Sequence, residues 1–89
     1  MTIEKEQELK NDFTNMLLSY DDNLIACDIS IEYGKEFETP THDGYKAILI
    51  MDYIYYSDLA KLEQNWHISK IEGVDEALRI TLYHKKAIK

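Results

Sequence analysis

The sequence predicts an α+β domain: one N-terminal helix packed on a four-stranded antiparallel sheet, in the order α-β-β-(short α)-β-β. Three observations lead there. An apolar stripe of helical period opens the chain, two-residue alternation follows from Leu24, and two further alternating segments flank Gly73-Val74-Asp75-Glu76. At 89 residues the chain has room for a single core and reads as one domain, 1–89.

In the first element Leu9, Phe13, Met16, Leu17 and Tyr20 fall within an arc of about 100° on a helical wheel, with Glu4, Glu8 and Asp12 outside it. Thr2 suits the N-cap, Glu4 and Glu6 suit the positive end of the helix dipole, and Asp21-Asp22-Asn23 supplies stop residues. The helix is therefore expected to run to Tyr20. From Leu24 to Tyr33, Ile25, Cys27, Ile29, Ile31 and Tyr33 alternate with Ala26, Asp28, Ser30 and Glu32, the pattern of a strand with one buried face. The stretch Gly34 to Gly44, with a glycine at each end and Pro40 within, reads as a long exposed loop.

Tyr45 to Tyr56 reads as a second strand with apolar residues on both faces: Ala47, Leu49, Met51, Tyr53 and Tyr55 on one, Ile48, Ile50, Ile54 and Tyr56 on the other. One helix covers one face only. The second set, Ile48, Ile50, Ile54 and Tyr56, is thus expected to bury itself against a second copy of the chain, as a C2 homodimer, or against a partner. Ser57 suits the cap of a short helix over Asp58 to Asn65, with Leu59 and Leu62 inward, and Trp66 to Glu72 and Ala77 to Lys85 form the closing hairpin.

Catalytic and metal chemistry find little support in the residues. Cys27 lies among Ile25, Ile29 and Ile31 on the inward face of its strand, whereas a nucleophilic cysteine needs an exposed, electropositive setting. His42, His67 and His84 are scattered, and Asp21-Asp22-Asn23 lacks the glycine and closing glutamate of a calcium loop. Gly34, Gly44 and Gly73 are too far apart for a phosphate loop, so no cofactor is expected. The expectation is a non-enzyme. Met1-Thr2-Ile3-Glu4-Lys5-Glu6 does not resemble a secretory signal, and no apolar run reaches the roughly 18 residues of a membrane span, so a cytoplasmic location is expected.

Charge is the more informative feature. The chain carries net −7, and residues 1–44 hold eleven acids and three bases while residues 45–89 hold six acids and seven bases. Direct nucleic-acid binding is disfavoured by that balance, and the seven tyrosines lack the basic groove that stacking proteins use. Asp28 and Glu32 fall on the outward side of the first strand, about 6.6 to 6.8 Å apart per same-face step. With Asp21 and Asp22 before them and Glu36, Glu38 and Asp43 after, they form an acidic ridge whose spacing is similar to that of phosphates along a nucleic-acid strand. The reading is a non-catalytic interaction module for a basic protein, with phosphate mimicry in the groove of a nucleic-acid-binding enzyme as one form.

In size and charge the chain resembles small acidic α+β proteins of phages and mobile elements, including anti-restriction and anti-CRISPR inhibitors, and immunity proteins of basic toxin nucleases. That resemblance is one of composition and implies an inhibitor. The element order, with strand Trp66-His67-Ile68-Ser69-Lys70-Ile71-Glu72, is similar to cystatin-like and NTF2-like folds. The alternative is accordingly a small ligand-binding or structural homodimer domain in which Tyr53, Tyr55, Trp66 and His67 line a pocket.

Overall fold

The computed structural model describes residues 3–16 and 27–86, and of residues 3, 14–16, 27 and 28 the backbone alone. Its elements are α1 (Ile3–Met16), β1 (Cys27–Glu38), β2 (His42–Met51), α2 (Tyr56–Leu62), β3 (Trp66–Val74) and β4 (Ala77–Lys85). The four strands form one antiparallel sheet in the order β1-β2-β4-β3. The expected α+β class and element order hold. The chain steps over β4 through α2 and returns to it by the β3–β4 hairpin, which leaves β1 and β3 at the two rims.

Directly paired residues share a face of an antiparallel sheet, so register sorts the side chains. Ile29 pairs with Leu49 and Leu49 with Ile80; Ile31 pairs with Ala47, Ala47 with Leu82, and Leu82 with Ile68. These residues line the inner face. Leu9 and Phe13 of α1, Leu62 of α2 and Trp66 of β3 complete the buried cluster. Phe13 is fully buried, with its ring 4.7 Å from that of Trp66. The helical stripe and the strand alternation therefore meet, and this contact orients α1 on the sheet.

The hairpin between β1 and β2 departs from the expected long loop. Both strands continue, and the connection is the short turn Thr39-Pro40-Thr41. The Thr39 hydroxyl accepts the backbone N–H of Thr41 (3.2 Å) and of His42 (3.0 Å), while Thr39 and His42 exchange backbone hydrogen bonds of 3.1 and 3.3 Å. A side chain that satisfies two turn amides makes the tight reversal possible. The extra residues sit in the strand itself: Tyr33 pairs with Tyr45 and Glu38 with Asp43, so residues 34–37 oppose Gly44 alone. Gly44 adopts φ 96°, and a Cβ there would lie 2.8 Å from both Tyr33 Cε2 and Glu38 Cγ. The glycines mark a bulge rather than a loop.

β2 ends at Met51, short of the expected Tyr56. Tyr53 and Ile54 have left the ladder and both pack against the core, on the way to α2. The N-cap of α2 is Tyr55, with no side-chain cap bond, in place of the expected Ser57. Asp58 is buried in the first turn of α2, with Lys61 Nζ at 3.6 Å from its Oδ1. The expected continuation of α1 through Leu17 to Tyr20 and the start of β1 at Leu24 to Ala26 lie outside the described residues.

Candidate protein-interaction face

The sheet face away from α1 carries the other half of the register. One cross-strand row holds Ile50, Arg79 and Glu72; the next Ser30, Ile48, Thr81 and Lys70; the third Glu32, Lys46, Tyr83 and His67. Ser30, Glu32, Ile50, His67 and Lys70 are exposed. At 39% exposure Ile50, next to the last residue of β2, is an apolar side chain presented to solvent, while its strand neighbours Leu49 and Met51 are packed on the opposite face.

Charge at the β1 rim is arranged along the strand. Glu32, Glu36 and Glu38 are exposed, Glu32 on the open face and Glu38, which pairs with Asp43, toward the α1 side. Glu32 Oε1 lies 3.8 Å from Lys46 Nζ, and the Tyr33 hydroxyl donates a hydrogen bond to Glu38 Oε1. That bond to a carboxylate, with the charge of Glu38 nearby, pushes the Tyr33 phenol above its ordinary value. Across the sheet Arg79 reaches Glu72 through Nε (2.9 Å) and Nη2 (2.7 Å), with Lys70 Nζ at 3.4 Å. The guanidinium hydrogen bond is the main reason that the Glu72 carboxyl sits below the usual glutamate value.

The sequence-derived ridge is only partly assembled. Glu32, Glu36 and Glu38 lie along the β1 rim, but the bulge at residues 34–37 breaks the even spacing that strand geometry would have given. Asp43 is not part of it: its Oδ2 lies 2.8 Å from His84 Nδ1, and the carboxyl is half-buried. The backbone of Asp28 pairs with Ile50 and its side chain lies outside the described residues, as do Asp21 and Asp22 entirely.

The expected apolar interface also divides. Ile48 and Ile50 are on the open face, whereas Ile54 packs against the core and Tyr56, 90% exposed, begins α2. The cause is the early end of β2. The pocket of Tyr53, Tyr55, Trp66 and His67 does not form either, because Trp66 and His67 are successive strand residues and point to opposite faces; Trp66 is buried and His67 exposed. The space between α1 and the sheet is filled by Leu9, Phe13, Trp66 and their neighbours. The Cys27 side chain lies outside the described residues, among which no three metal-ligating side chains converge and no helix is long and apolar enough to cross a membrane.

Sequence reasoning missed a cluster of four rings at one end of the open face. Phe37 lies 5.7 Å from Tyr83, His42 lies 6.3 Å from Tyr83, and His42 lies 5.6 Å from His67. The turn fixes His42, whose Nδ1 is 2.9 Å from the Thr39 hydroxyl and 3.1 Å from that of Thr41. A signal was available in the closing hairpin, where His67 and Tyr83 both occupy outward positions; Phe37 and His42 join them only through the bulge. Comparison of the chain with protein-family models, with curated proteins and with solved structures finds no match.

Proposed function

We propose that the chain is a non-catalytic protein-interaction module that engages a basic partner through the β1 rim and the open face of the sheet. The observation that supports this most is the placement of exposed Glu32, Glu36 and Glu38 along one rim, beside an open face that includes exposed Ile50. Carboxylates at a rim steer a cationic partner and set register, while Ile48 and Ile50 supply apolar area to the contact. A basic nucleic-acid-binding groove is one partner of this chemistry, and occupying it would make the chain an inhibitor by phosphate mimicry. The test is capture from host lysate on immobilised protein at low and at high salt, with Glu32→Gln/Glu36→Gln/Glu38→Gln beside the wild type. A partner lost from the triple variant and at high salt, and displaced by added DNA, supports the reading; a captured partner indifferent to the variant refutes it.

A structural homodimer through Ile48 and Ile50 is the second reading, supported by the exposure of Ile50 on the open face. Sheets pack face to face at about 10 Å, and a four-stranded face is large enough for a small specific interface. Sedimentation at high micromolar concentration decides it. A dimer that Ile50→Asp converts to a folded monomer supports the second reading, and a wild-type monomer removes it.

A further inference from the structure

We infer that the groove bounded by Glu36, Phe37, Thr39, His42 and Tyr83 receives an arginine side chain of the basic partner. This rests on the interaction reading above and names the group that the face recognises. The groove encloses about 240 Å³. That is below the roughly 300 to 1,000 Å³ typical of small-molecule pockets and suits a single side chain.

Its chemistry favours a cation. Aromatic faces attract positive charge through their quadrupole, and the carboxylate of Glu36, exposed on the wall of the groove, supplies a counter-charge. The chain already uses the same recognition internally: Lys46 Nζ lies 5.3 Å from the centre of the Phe37 ring and 3.8 Å from Glu32 Oε1. An ammonium held between a ring and a carboxylate shows the preference of this end of the sheet. Tyr83 and Glu36 offer a second ring and carboxylate to a partner.

The shape of the groove favours guanidinium over ammonium. Phe37 and Tyr83 are inclined at 55°, and His42 and Tyr83 at 66°, so the rings form an open wedge rather than a closed cage. A planar guanidinium lies flat on one ring while its N–H fork donates to a carboxylate in the same plane, which a tetrahedral ammonium cannot do. The Thr39 turn holds the far wall, with Lys86 N–H donating to Thr41 O to tie that turn to the end of β4.

The experiment is calorimetric and NMR titration of the intact chain with hexa-arginine and, separately, hexa-lysine peptides. Hexa-arginine is expected to bind about fivefold tighter, an increment of the size that one exposed cation–π contact gives, with backbone shifts centred on residues 36–42 and 83. Tyr83→Leu, which keeps a strand residue and removes the ring, is expected to abolish that preference, and Glu32→Gln/Glu38→Gln to weaken both peptides while preserving it. Phe37→Leu serves if Tyr83→Leu does not fold. Equal binding of the two peptides, or a preference that survives loss of the ring, overturns the groove even if the acidic rim still captures a partner. Failure of hexa-arginine to bind overturns the groove too, whereas failure of the rim is read separately in the lysate capture.

Discussion

His84 Nδ1 and Asp43 Oδ2 lie 2.8 Å apart across 41 residues of sequence, joining the beginning of β2 to the end of β4 beside the Trp66 ring. Both side chains are half-buried, so removing one leaves the other without this partner. Asp43→Ala is expected to cost about 1 to 3 kcal/mol in denaturant melts, and Asp43→Asn less, because an amide keeps one hydrogen bond. An unaffected melt would return Asp43 to the exposed acidic ridge.

Phe13 is the main anchor of α1. Phe13→Ala should cost about 3 to 5 kcal/mol, the range for a fully buried aromatic, and in a domain of this size that is a large share of a total near 5 to 15 kcal/mol. A loss under about 1 kcal/mol would mean that α1 is loosely attached.

The two glycine substitutions should separate. Gly44→Ala forces a Cβ into Tyr33 and Glu38 at a positive φ and should cost about 1 to 3 kcal/mol. At Gly73 a Cβ meets nothing within 4 Å, and Gly73→Ala should leave the melt within about 0.5 kcal/mol. Equal effects would count against the bulge.

Two groups give the pH dependence a sign. Glu72 titrates lower in the folded chain than when unfolded, because the guanidinium of Arg79 and then Lys70 hold its charged form; the stability it contributes is present above the unfolded value and is lost as pH falls through the folded one. Tyr33 titrates higher when folded, so its contribution is present below the ordinary tyrosine value and is lost as pH rises through the folded one. Glu72→Gln should therefore flatten the acid limb of stability and Tyr33→Phe the alkaline limb, measured by melts across pH. A limb that keeps its slope in the matching variant would assign it to other groups.

Periodicity made much of the fold legible. The stripe through Leu9 and Phe13 and the alternations of Ile29-Ile31 and Leu78-Ile80-Leu82 report burial on one side, and each of these elements is present with that side inward. What periodicity does not carry is a change of direction. Residues 34–44 look like a loop because glycine, proline and charge are read as solvent chemistry, while two backbone N–H groups donating to the Thr39 hydroxyl and a bulge at Gly44 keep the segment within the ladder. Tyr53 and Ile54 continue the apolar run of β2 and so read as strand, though they serve the helix layer. The ring groove was illegible for the same reason, since two of its three rings, Phe37 and His42, come from that hairpin end.

Among the described residues β1 pairs with β2 alone, and its other side offers a row of backbone donors and acceptors. Such a strand is a template for another sheet, and charge and bulges are what discourage that pairing. Glu32, Lys35, Glu36 and Glu38, with the irregularity at residues 34–37, occupy that strand. The side chains read as a lure for a basic partner therefore also guard against self-templated aggregation. Neutralising them removes both at once, and the triple glutamine variant should scatter more light on storage than the wild type while its monomers stay folded.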